Sequence, residues 1–344
     1  MPLARWLRRL ALAGVLLCFV VVVLGAYVRL TAAGLGCPDW PGCYGHVSPT
    51  LAAHAPVPAE YAQRPLEVGK AWREMIHRYA AGALALIILA IGVLAIAARR
   101  TRIVSVAFAL ALLATVIVQA LLGMLTVTWQ LKPLIVTAHL VFGMTTLALL
   151  WWLVLSLPTS SWASAALHGA ARSIQGGGAS PLASAHHLVL LGLVALAVQI
   201  VLGGWTSSNY AAVACPDFPT CQGRLWPHAD YRDAFVLWRG LNVNYEGGVL
   251  ENPARVAIHF THRLGAVAAS VALGLASLYV LRRRGLAAAH PRAWAVLAAL
   301  ALQLIIGVSM VLKGFPLPLA TAHTAGAALL LLAALALLRA LSVR

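Results

Sequence analysis

Eight runs of apolar residues, each about twenty long, alternate with polar breaks along the chain. They fall at roughly 10–30, 73–98, 103–127, 134–156, 185–206, 256–281, 292–312 and 317–338. About 20 helical residues cross ~30 Å of hydrocarbon, where a helix satisfies all its own backbone groups. The pattern predicts an all-α polytopic membrane protein with eight transmembrane helices. The first run is too long to be a removable signal peptide, and no small-residue cleavage site follows it well.

Composition agrees. Of 344 residues, 62% are hydrophobic and only 10% charged, with a mean hydropathy of +0.87. That lies outside the range of soluble domains. A net charge of +16 invites a nucleic-acid reading, but its placement argues for topology instead. Arg5, Arg8, Arg9, Arg99, Arg100, Arg102, Arg282, Arg283, Arg284, Arg292, Arg339 and Arg344 flank helix ends on one side, and that side carries no acid. Every Asp and Glu falls on the other side or in its helix mouths. The positive-inside rule then puts both termini in the cytoplasm and the long loops, roughly 31–72 and 207–255, outside.

The chain repeats itself. Cys37-Pro-Asp-Trp-Pro-Gly-Cys43 returns as Cys215-Pro-Asp-Phe-Pro-Thr-Cys221, 178 positions later, and Gly25 to Gly203 keeps that offset. Gln119 to Gln303, Gly123 to Gly307 and His139 to His323 share an offset of 184. Two tandem, pseudo-symmetric four-helix bundles are expected, over 1–157 and 185–344, in the same membrane orientation. Residues 158–184, with Gly176-Gly177-Gly178 and several serines, read as a flexible cytoplasmic linker.

Four histidines fall at matched places in the two halves. His77 and His262 each precede an arginine, while His139 and His323 each end a Thr-Ala-His tripeptide. Polar rings in hydrocarbon are costly and mark cofactors or polar pathways. Two imidazoles from facing helices suit the axial positions of a haem iron, so two pairs imply two haem sites. Helix lengths place all four within about one to two turns of the outer ends. One such histidine alone would read as a hydrogen-bonded core residue; four in register do not. His46, His54, His168, His186, His187, His228 and His290 have no repeat partner.

Around these pairs, Arg78 and Arg263 are candidates to meet haem propionates bidentately, or else to reach lipid phosphate. Glu74 stands one turn before His77 and suits proton exchange with a substrate; a helix-terminal acid is the plainer reading. His259 holds the equivalent place before His262. The cysteine pairs face an oxidising space, which favours local bridges Cys37–Cys43 and Cys215–Cys221 over a shared four-thiolate metal site. A redox function for Cys37–Cys43 stays open. Cys18, alone in the first span, reads as a small buried apolar residue.

Together these motifs resemble the haem A synthase family across nearly the whole chain. The resemblance rests on Glu74-x-x-His77-Arg78, Thr137-Ala-His139, His262-Arg263, Thr321-Ala-His323 and the two cysteine loops. It implies a bacterial inner-membrane oxidoreductase that turns the C8 methyl of haem O into a formyl group. It further implies that His77 and His139 face the substrate haem, that His262 and His323 hold haem b, and that Glu74 is the essential carboxyl. Haem O synthase and oxidase assembly factors would be its partners, besides membrane lipid. Some family members lack one cysteine pair, which leaves Cys215–Cys221 without a general function. A di-haem b-type carrier linked to quinol is the alternative class, and it needs neither an exchangeable haem nor a lone carboxyl.

Overall fold

The computed structural model describes residues 2–101, 103–157 and 181–342. Most of the expected linker, with His168 and Gly176 to Gly178, lies outside the described residues, as do Arg102 and Arg344. Residues 181–184, assigned above to the linker, already belong to a helix.

Among the described residues, eight helices are long and apolar enough to cross a membrane. They are α1 (Pro2–Leu30), α2 (Val68–Ala97), α3 (Val106–Thr128), α4 (Pro133–Ser156), α5 (Pro181–Ser208), α6 (Asn252–Arg282), α7 (His290–Leu312) and α8 (Leu317–Leu341). Several outrun the apolar runs that predicted them: α2 starts at Val68 and α6 at Asn252. Helical hydrogen bonding continues past the hydrocarbon edge, where polar residues are no penalty. Helices α4, α6, α7 and α8 open with proline at the first or second position, where the missing N–H costs nothing.

Each half packs as a closed ring. Helix α1 meets α2 and α4, and α3 meets α2 and α4; likewise α5 meets α6 and α8, and α7 meets α6 and α8. The rings join where α1 touches α8 and where α4 touches α5 and α8. One continuous apolar core runs through both, including Leu7, Ile88, Leu112, Leu147, Val189, Leu273, Val296 and Leu337. These positions all lie toward one end of the bundle, away from the long loops. Large apolar side chains such as Leu16, Leu86, Leu121, Leu191, Val267 and Ile305 remain exposed, as lipid-facing surfaces require.

The opposite end is covered by the two long loops, which contain short helices at Pro49–Ala53 and Tyr231–Ala234. The second loop reaches across to the first half. Tyr245 N–H donates to the Gln130 carbonyl at 3.1 Å. Lys132 is 1% exposed; its Nζ donates to the Gly240 carbonyl at 2.6 Å and lies 3.0 Å from the Trp238 ring centre. Trp129 meets Trp238 edge to face. Further links are Arg29 Nη2 to the Ser207 carbonyl at 2.8 Å, Thr137 Oγ1 to Ser208 Oγ at 3.2 Å, and Trp151 Nε1 to the Leu332 carbonyl at 2.9 Å.

A charged donor lost from a buried site costs about 1.5–3 kcal/mol. Lys132→Met should therefore loosen the second loop without unfolding the bundle. Tryptic cleavage at Arg239 is expected to speed up about tenfold in detergent; an unchanged rate would show that Lys132 does not fasten the loop.

Candidate functional site

The sequence-matched histidines come together in pairs. His77 on α2 faces His139 on α4, with ring centres 6.4 Å apart and planes at 75°. His262 on α6 faces His323 on α8 with the same spacing and angle. Two metal–nitrogen bonds of ~2 Å plus the ring radius on each side come to a centre spacing of about 6 Å. His77 and His262 sit about two and a half turns into their helices, deeper than the one to two turns expected. The reason is the outward extension of α2 and α6 noted above.

A glycine from a neighbouring helix stands against each ring. A Cβ at Gly25 would lie 3.1 Å from His77 Cε1, and one at Gly123 would lie 3.3 Å from His139 Cε1. The values are 3.2 Å for Gly203 against His262 and 3.0 Å for Gly307 against His323. Ordinary carbon contacts are longer, at about 3.5–4.0 Å, so a side chain at any of the four would push its ring aside. All four imidazoles are crowded by protein on many sides, yet each keeps part of its surface accessible. Donor type, spacing and glycine cradle fit a haem iron held between two imidazoles.

Glutamines complete the surroundings. Gln119 Nε2 donates to the His139 carbonyl at 2.9 Å. Gln199 Nε2 donates to the His262 carbonyl at 3.0 Å, and Gln303 Nε2 to the His323 carbonyl at 3.1 Å.

Above the rings, the cysteine motifs form two similar loops. Cys37 is bonded to Cys43 and Cys215 to Cys221, so the four sulfurs are used locally. Trp40-Pro41 and Phe218-Pro219 are both cis. Asp39 accepts from the N–H groups of Tyr44 at 2.7 Å and Gly45 at 2.8 Å. Asp217 accepts likewise from Gln222 at 2.6 Å and Gly223 at 2.9 Å. Tyr44 and Gln222, at φ 52° and 55°, take the left-handed turn that these carboxylates stabilise.

Residues beside the histidines fasten these loops to the helices. Glu74 is 5% exposed; its Oε2 accepts from Cys37 N–H at 2.9 Å and its Oε1 from Arg78 Nη2 at 2.5 Å. Arg78 Nη1 contacts the carbonyls of Asp39, Pro41 and Gly42 at 2.9, 3.2 and 2.5 Å. In the second half Arg263 donates to the carbonyls of Thr220 and Cys215, both at 2.8 Å. His259 Nδ1 lies 3.3 Å from Cys215 N, and its Nε2 lies 3.3 Å from Arg263 Nε. A neutral imidazole accepts at one nitrogen only, so His259 satisfies one of these donors at a time. Glu74 and His259 thus occupy equivalent places under equivalent loops. Sequence reasoning had no signal for Gln199, Arg29 or Lys132; it flagged the glycines and Gln119 and Gln303 only as repeats.

The fold and site define a class: a multi-pass helical membrane protein carrying two facing histidine pairs whose spacing fits a haem iron. The chain belongs to the cytochrome oxidase assembly protein family COX15-CtaA, whose pattern matches residues 8–335. It is 39% identical to the heme A synthase of Shewanella oneidensis over 331 residues, covering 95% of this chain and 93% of that one. It is 29% identical to the heme A synthase of Rhizorhabdus wittichii over 359 residues, covering 97% and 92%. A heme A synthase of Paracoccus denitrificans shares 36% over 194 residues, or 55% and 44% of the two chains.

The second cysteine loop should respond to acid. The Thr220 hydroxyl, with the Gly223 and Gln222 amides, holds the Asp217 carboxyl down at about 2 from the usual 3.8. A depressed pKa contributes stability that is complete above the unfolded value and lost as pH falls through the folded one. Exchange protection of the Gln222 and Gly223 amides should therefore fall between pH 4 and about 2. In Asp217→Asn it should be low and pH-independent; protection equal to wild type would remove the carboxylate from the account.

Proposed function

We propose that the protein is a haem A synthase, oxidising the C8 methyl of haem O to a formyl group. The observation that carries this reading is the pair of identically spaced imidazole couples in a chain of this family. Net, the methyl and one water become the formyl group with release of four protons and four electrons. Two successive hydroxylations followed by loss of water satisfy that balance, with water as the oxygen source.

The halves are read as tandem units with different tasks. His77 and His139 bind the substrate haem in 1–157. His262 and His323 ligate a resident haem b in 185–344. When bound, that haem supplies a one-electron redox centre. Glu74, one turn from His77, takes up protons from the reacting edge of the substrate. Its bonds to Cys37 N–H and Arg78 fix the carboxylate and tie its state to the loop above the site. Arg78 and Arg263 offer propionates the donors that the loop carbonyls leave over. The four glycines let the ligand rings lie flush against neighbouring helices, so the couples keep their spacing.

The orientation follows from charge: termini in the cytoplasm of a bacterial inner membrane, long loops and both disulfides in the periplasm. Haem O reaches the site from lipid, and its producer and the oxidase assembly factors are the expected partners.

Glu74→Gln keeps an acceptor for Cys37 N–H but cannot accept a proton. It should retain its Soret band while product formation falls by roughly 10²–10⁴-fold, read by mass spectrometry of extracted haems. Normal turnover in this variant would remove Glu74 from the chemistry. Extracts containing haem b alone, from wild-type protein supplied with haem O, would favour an electron carrier instead. Label from ¹⁸O-water should enter the formyl group; label only from dioxygen would reject water as the source.

A further inference from the structure

The two histidine couples match in spacing but differ in what holds their rings. In the second half both rings are clamped by glutamine. Gln199 Nε2 lies 3.1 Å from His262 Nδ1 and 3.4 Å from Nε2, besides its bond to the His262 carbonyl. Gln303 Nε2 lies 3.3 Å and 3.4 Å from the nitrogens of His323. Near-equal distances to both nitrogens mean that each amide packs on the ring rather than along one lone pair. Backbone anchor and ring contact together allow the imidazole one orientation.

Each clamp needs a glycine one turn after its ligand. A Cβ at Gly265 would fall 2.3 Å from Gln199 Oε1, and one at Gly326 would fall 2.2 Å from Gln303 Oε1. The amides therefore lie directly on bare backbone.

The first half lacks this arrangement at His77. The repeat offset of 178 puts Val21 where Gln199 stands, and the offset of 185 that relates His77 to His262 puts Ala80 where Gly265 stands. The Val21 carbonyl approaches the His77 ring, but His77 Nδ1 closes no hydrogen bond of ordinary geometry. Gln119 Nε2 reaches only the backbone carbonyl of His139, and the Gln119 carbonyl approaches the His139 ring, whose Nδ1 likewise closes no hydrogen bond of ordinary geometry.

The geometry points to Gln199 on Gly265 as the positioning residue that makes the second couple retain its haem, and to Val21 with Ala80 as the replacement that lets His77 release the first. This rests on the reading of two haem sites, one kept and one exchanged. Groups that orient a metal-ligating imidazole are typically worth 10–100-fold in metal affinity. Clamping both rings slows dissociation; leaving His77 free to change rotamer lets substrate arrive and product leave without unfolding the helices.

Full-length protein with one couple disabled isolates each site. In His77→Ala/His139→Ala, haem should pass from the second site to excess apomyoglobin slowly, and Gln199→Val should speed that transfer 10–100-fold. In His262→Ala/His323→Ala, transfer from the first site should be fast, and Val21→Gln/Ala80→Gly should slow it by a similar factor. The low-spin ferric electron paramagnetic resonance signal, which reports ring orientation, should broaden in Gln199→Val and sharpen in Val21→Gln/Ala80→Gly. A folded Gln199→Val that releases haem at the parent rate overturns the proposal. So does a first site whose release is unchanged by importing the clamp, an arm that stands even if Gln199→Val fails to fold. Wild-type protein without a Soret band would instead overturn the two-haem reading itself, and the clamp with it.

Discussion

An imidazole set between membrane helices is costly and must be given room and neighbours, and the structure is arranged around that constraint. His77 with His139, and His262 with His323, meet in the middle of closed four-helix rings. Close approach is possible because glycine stands opposite every one of them. The dense apolar core is displaced to the far end of the bundle, which leaves the loop-facing end to polar work. There, local disulfides and aspartate-capped turns give each loop a fixed form, and residues next to the histidines hold that form in place.

Much of this was legible in the sequence because lipid is a strict solvent. Apolar length alone gave eight spans, although helix ends such as Val68 and Asn252 ran further than hydropathy marked. The histidine couples were legible because duplication printed each motif twice. The glycines were visible as shared offsets, yet only spatial proximity tells what they touch. Gln199 escaped for the opposite reason: its counterpart is Val21, so comparing the halves silenced it. Arg78 and Arg263 read from sequence as partners of either propionates or lipid phosphate; the structure commits several of their donors to loop carbonyls, contacts between segments far apart in sequence. The short helices at Pro49–Ala53 and Tyr231–Ala234 carry too few residues for any periodic signal.

The paired loops also illustrate how duplication diverges. Glu74 and His259 hang the same kind of loop from the same turn of equivalent helices, one with a carboxylate and the other with an imidazole. Fastening the loop is therefore common to both residues, and the carboxylate and the imidazole are what differ between them. The same logic separates Gln199 from Val21.

The long loop between α5 and α6 crosses to the other ring and buries Lys132 under Trp238. With Arg29 on Ser207, Thr137 on Ser208 and Trp151 on Leu332, cohesion between the rings is spread over several separate contacts. Continuity of the polypeptide from α4 to α5 is then not what holds the molecule together. Synthesised as two separate polypeptides, the halves would still have these contacts by which to recognise each other.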